Sequence, residues 1–108
     1  MASKALTPNQ LRFIAERFKA LAEPSRLDIL QALKGGERTV TEILERTGLG
    51  QANASKHLQV LYMAGFVERR KDGVTTLYRL ADTDVFRLCD LMCGRLEKEA
   101  ETRRKVFG

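Results

Sequence analysis

At 108 residues the chain has the size of one domain, with room for a modest core, and a domain this small gains stability from an interface with another subunit. Nineteen Lys and Arg against 14 Asp and Glu leave a formal charge of +5 and a pI near 9.6, a balance that suits a polyanionic partner, nucleic acid first and an anionic membrane surface second. No apolar stretch approaches a membrane span, Met1 to Thr7 is too short for a secretory leader, and the two cysteines are expected as free thiols in a reducing compartment, so residues 1–108 read as one cytoplasmic domain without repeats.

The first helix is signalled several times over. Thr7 and Gln10 have the spacing of a capping box, Pro8 occupies the first helical position, and Leu6 with Leu11 has the spacing of a hydrophobic staple. Leu11, Ile14, Phe18 and Leu21 then recur in steps of three and four, so one stripe can bury against a partner over residues 8–22. Pro24 opens a second helix carrying Leu27, Leu30 and Leu33, which Gly35 and Gly36 end.

Residues 39–64 read as a helix-turn-helix. Thr39 and Glu42 form a second capping box before Ile43 and Leu44, and Gly48 stops that short helix. In the helix that follows, Ala54, Leu58 and Leu61 define a buried face and leave Ala52, Ser55, Lys56 and Gln59 pointing outward. Taken alone, such a face is an ordinary solvated surface. The next segment changes its meaning: residues 66–80 read as a hairpin wing with Val67 and Tyr78 inward, a turn at Asp72-Gly73, and four cations at Arg69, Arg70, Lys71 and Arg79. A polar helix beside a basic ribbon is suited to DNA, the helix for base edges and the ribbon for phosphate or minor groove.

The last helix spans residues 84–105. Val85, Cys89, Met92 and Leu96 form one stripe, and Phe86, Leu88, Leu91 and Cys93 widen it beyond what one neighbouring surface can cover. A second copy of the chain is the simplest cover, which makes Leu11, Ile14, Phe18, Val85, Met92 and Leu96 the expected dimer interface.

The blocks Phe18 to Leu33 with Glu23-Pro24-Ser25-Arg26 at their centre, Leu49 to Leu61 with Ser55-Lys56-His57-Leu58, Gly65-Phe66-Val67, and a wing from Gly73 to Tyr78-Arg79-Leu80 resemble the ArsR/SmtB family of bacterial repressors. The resemblance runs in uninterrupted order over most of the chain. It implies a mainly α winged helix-turn-helix with a small β-hairpin, about five helices, a homodimer built on the first and last helices, and an inducer that releases operator DNA. By the family's pattern the DNA-contacting side chains fall on Gln51, Ala52, Ser55 and Lys56. Because Gly50 stands where a capping Ser is common and Ala52 offers no hydrogen bond, readout is expected from Gln51, Ser55, Lys56 and Gln59, with a small part for Asn53 and with Arg69, Arg70 and Lys71 on the backbone. Gln suits adenine, and Lys suits guanine or phosphate.

The resemblance also places inducer sites, and most are missing. Thr39 to Thr47 contains no cysteine, which removes the arsenic-type site. The zinc-type positions on the last helix read Asp82, Asp84, Arg95 and Lys98, and two cations do not bind a dication. The single histidine, His57, lies on the recognition helix, where packing or a phosphate contact is expected of it. Cys89 and Cys93 remain, on one face with β-carbons roughly 5–6 Å apart, too far for an undistorted disulfide within one helix. Three roles are open to them: packing as small hydrophobes, a redox or persulfide switch aided by Arg87 and Arg95, or capture of a soft metal or metalloid by two pairs of thiols across a dimer axis.

The sequence therefore points to a dimeric transcriptional regulator that binds an operator in double-stranded DNA, needs no cofactor and has no membrane partner. A winged-helix protein-interaction module is the alternative, and an enzyme is disfavoured because no nucleophile with a base, phosphate loop or ligand cluster is present.

Overall fold

A computed structural model describes residues 5–108. Residues 1–4, part of the Met1 to Thr7 segment weighed as a leader, lie outside the described residues. The order is α1 (Pro8–Leu21), α2 (Pro24–Ala32), β1 (Arg38–Thr39), α3 (Val40–Thr47), α4 (Gln51–Met63), β2 (Val67–Asp72), β3 (Thr75–Leu80) and α5 (Asp84–Phe107). The described residues thus form five helices and a small antiparallel sheet of order β1-β3-β2.

Both capping boxes form. The Gln10 amide N–H donates to Thr7 Oγ1 at 3.1 Å while Gln10 Oε1 accepts from Thr7 N at 2.9 Å, and Thr39 and Glu42 repeat the exchange at the start of α3. Glu23 caps α2 by accepting from Ser25 N, and Gly48 ends α3 at a φ of +74°, where any other side chain would be strained.

The core lies where α2, α3, α4 and the root of the sheet meet. Ile29, Leu30, Leu33, Ile43, Leu58 and Leu61 are its fully buried members, and Val67, Tyr78, Val85 and Phe86 close it from the wing and α5. In α2, Ile29 is fully buried while Leu27 is only half-buried, so the burial stripe is rotated from the one that the leucines alone suggest.

The structure adds one strand and corrects two sequence expectations. Thr39 is also part of β1, which pairs Arg38 with Tyr78 and Thr39 with Leu77; a two-residue strand has too few positions for any alternation to show. The hairpin turn sits at Gly73-Val74 instead of Asp72-Gly73, because Asp72 still pairs with Thr75; Gly73 alone takes a positive φ, the pattern of a type II′ turn. Val85 belongs to the core of its own chain at 3% exposure, since the first turn of α5 is the part that docks, and it has little surface left for a partner.

The rest of α5, about 30 Å of helix, stands clear of that core. Leu91 and Met92 are 73% and 61% exposed, with Leu88 and Leu96 beside them, and on α1 Leu11, Ile14 and Phe18 are also uncovered. No helix among the described residues is long and apolar enough to cross a membrane.

Candidate nucleic-acid interface

The rotation of α4 about its axis is fixed by Ala54, Leu58 and Leu61, each fully buried. At 100° per residue that anchoring turns Ala52, Lys56 and Gln59 away from the core, puts Gln51 and Ser55 on one flank and Asn53 on the other, and all six are exposed. The helix carries no acidic residue from Gln51 to Met63. Its N-cap, Gly50, makes no side-chain hydrogen bond, so the first backbone N–H groups of α4 keep their donors for an outside acceptor.

His57 sits on the inner flank of this helix with its side chain 16% exposed. Arg26 Nη1 lies 3.3 Å from its Nδ1, and Arg26 also donates to the carbonyls of Ala20 at 2.6 Å and Lys19 at 3.2 Å. A guanidinium has only donors, so Nδ1 accepts, and Nε2 faces Glu23 Oε2 at 3.9 Å. His57 is therefore a packing residue that ties α4 to the α1–α2 corner. The carboxylate beside it was invisible in sequence, where Glu23 is remote.

The wing cations divide by strand face. Arg69 and Lys71 share the face of buried Val67, which is turned toward α4; Arg70 lies on the other. The Arg69 guanidinium stacks 3.9 Å from the centroid of the Tyr62 ring and its Nη1 donates to Gln59 Oε1 at 3.2 Å. Arg70 grips Glu37 through two hydrogen bonds of 2.8 and 2.7 Å, which hold the Glu37 carboxyl below its ordinary range and raise Arg70. Arg79 pairs with Glu68 at 3.2 Å, its direct partner across the strands. Of the four cations that the sequence offers to phosphate, Lys71 alone has no ion-pair, hydrogen-bond or stacking partner among the described residues. Glu37 and Tyr62 are the residues that sequence reasoning missed; only Tyr62 had a signal, an aromatic one turn beyond Gln59.

On α5, Cys89 is half-buried and Cys93 exposed. Cys93 Sγ lies 3.6 Å from Glu97 Oε1, and this hydrogen bond, with the charge of Glu97 and a smaller push from Asp90, raises the thiol above its ordinary range. The aid that Arg87 and Arg95 could lend a thiol is not seen at Cys93: Arg87 turns to Asp84 and Arg95 to Glu99. Among the described residues, no three His, Cys, Asp or Glu side chains gather in a way that could hold a metal ion.

Comparison with known proteins agrees with this geometry. A helix-turn-helix domain family model matches residues 21–70. A probable mercury resistance operon repressor from Streptomyces lividans is 42% identical over 71 residues, covering 66% of this chain and 57% of that protein. Among solved structures, Rv0081 of M. tuberculosis superposes with a TM-score of 0.75 at 35% identity, covering 91% of this chain and 98% of that one. The homodimeric winged helix-turn-helix DNA-binding domain of Mb0332 from Mycobacterium bovis, a possible ArsR-family transcriptional regulator, does so at 0.74 and 38%, covering 94% and 95%. The chain spans about half the length of the first curated relatives it matches. These relatives are named as regulators, not enzymes. Fold, interface and relatives together establish that the chain belongs to the ArsR/SmtB family of winged helix-turn-helix transcriptional regulators.

Proposed function

We propose that the chain is a homodimeric, sequence-specific DNA-binding repressor, working in the cytoplasm, that lays α4 in the major groove and rests the β2–β3 wing on the flanking backbone. The observation that carries this reading is the exposed side of α4, with Lys56 and Gln59 outward and Gln51 and Ser55 on one flank, polar or cationic, and no carboxylate along the whole helix. A protein-interaction module would present an acidic or apolar surface there. Gln51, Ser55, Lys56 and Gln59 read base edges, Asn53 reaches the groove wall from its flank, the uncapped N–H groups of α4 take a phosphate, and Lys71 takes another.

The dimer joins α1 and α5 of two copies. Leu11, Ile14 and Phe18 on α1 and Leu91, Met92 and Leu96 on α5 are all exposed apolar side chains that a second copy would cover. Pairing would hold the two recognition helices about one DNA turn, ~34 Å, apart.

Release of DNA is assigned to the thiols of α5. Cys89 and Cys93 stand one turn apart on the helix that the dimer would bury, so oxidation, persulfidation or capture of a soft metalloid there would change the packing between subunits. No other cofactor enters this reading, and no enzymatic step.

The test is a titration of labelled duplex from the chain's own upstream region, with excess random duplex as competitor. Binding that survives the competitor supports operator recognition. Equal displacement by random DNA would return the chain to the interaction-module reading.

A further inference from the structure

Arg69 is held on three sides. Its backbone belongs to the strand pair that buried Val67 and Tyr78 fix to the core, with Arg69 directly opposite Tyr78. Its guanidinium lies over the Tyr62 ring at 3.9 Å, and its Nη1 bonds Gln59 Oε1 at 3.2 Å. Stacking and the hydrogen bond together fix the guanidinium plane before any DNA arrives. The Gln59 amide is constrained in turn: a guanidinium has only donors, so the amide atom that meets it must be the oxygen, and a flip would set NH₂ against N–H.

We propose that Arg69 is a positioning residue that locks Gln59 in one amide orientation, so that the remaining lone pair of Oε1 and the NH₂ group are presented together to one adenine. This rests on the proposed docking of α4 in the major groove. Adenine is the base whose edge sets a donor, N6, beside an acceptor, N7, and an amide reads it with oxygen and nitrogen side by side. A free glutamine must lose its rotamer freedom on binding, and can present either end. Arg69 removes both costs before DNA arrives, and it couples the wing to readout at a base that the wing never touches.

The experiment is selection from a randomised duplex pool, followed by affinity measurements on every single base-pair variant of the selected site, across a salt series. The proteins are wild type, Gln59→Ala, Ser55→Ala, Arg69→Met and Tyr62→Leu. Gln59→Ala should flatten preference at one base pair per half-site, which identifies the base it reads, expected to be adenine. At that base pair the wild type should discriminate by roughly 5–150-fold, and Arg69→Met should reduce this to a few-fold while preferences elsewhere stand. Tyr62→Leu, which keeps every charge but removes the stacking platform, should relax the same base pair and leave the salt slope unchanged.

If Arg69→Met weakens all sequences alike, lowers the salt slope by about one and leaves base preference intact, Arg69 is a phosphate contact and the proposal is overturned. It is also overturned if Gln59→Ala alters no preference while Ser55→Ala does, in which case α4 still reads DNA without Gln59. Should none of the α4 substitutions shift any preference, the repressor reading itself fails and takes the proposal with it.

Discussion

Arg70 of the wing closes on Glu37, two residues before the end of β1, through a pair of parallel hydrogen bonds that no other cation of the wing possesses. The clamp joins β2 to the segment between α2 and α3, so the wing is held by a charge pair as well as by strand pairing. Arg70 is thereby occupied, and Lys71 is left as the wing cation without an ion-pair, hydrogen-bond or stacking partner among the described residues. Lys71→Ala should weaken every DNA sequence and lower the log–log salt slope by about one, whereas Arg70→Ala should leave the slope unchanged and speed amide exchange in β2 and β3. The folded carboxyl of Glu37 is held below its unfolded range, so the clamp is complete above the ordinary carboxylate range and is lost as pH falls through the lowered value. Glu37→Gln should show fast wing exchange at neutral pH and no further acid-dependent step.

Val85 and Met92 share the stripe predicted on α5 but differ in what covers them. Val85→Ala acts inside the domain and should cost about 1–3 kcal/mol of stability, seen as a lower Tm at unchanged mass. Met92→Glu or Leu96→Glu should leave the core intact and dissociate the dimer. Sedimentation velocity checks this: wild type at micromolar concentration is expected at twice the chain mass, and a compact monomer would refute the α1–α5 interface.

Glu97 raises the Cys93 thiol above its ordinary range, since its hydrogen bond and charge both disfavour the thiolate. Alkylation of Cys93 should therefore be slow near pH 7 and accelerate as pH rises through the raised thiol pKa. Glu97→Gln should speed it at neutral pH, and mass spectrometry of time-quenched samples would show this. Operator titrations with oxidant, persulfide donor or arsenite should respond in wild type and not in Cys89→Ser/Cys93→Ser. Identical binding in both proteins under all conditions would reduce the cysteines to packing.

How much of this could be read from the chain depends on the range of each interaction. Both capping boxes, the buried face of α4 and the dominant helix boundaries follow from contacts within four residues, and the spacing of Thr39 with Glu42 or of Ala54, Leu58 and Leu61 displays them directly. The partners of the wing cations do not follow. Glu37 reaches Arg70 and Tyr62 reaches Arg69 only because the sheet and α4 fold against each other, and no periodicity records that. Val85 shows the same limit from the other side: its place in an apolar stripe was plain, but whether its own core or a partner covers it depends on where α5 docks. Arg87 and Arg95 are near the thiols in sequence, yet one turn of helix delivers Glu97 to Cys93 while the two arginines find other carboxylates.

The central claim, that the outward side of α4 recognises a particular DNA sequence, is tested most directly by the ratio of operator to random-duplex affinity in wild type, Ser55→Ala and Lys56→Ala at one salt concentration. Each lost base contact should cost about 1–3 kcal/mol on the operator and much less on random DNA, so the ratio should fall by roughly 5–150-fold. A ratio that stays at the wild-type value in both variants would contradict the account.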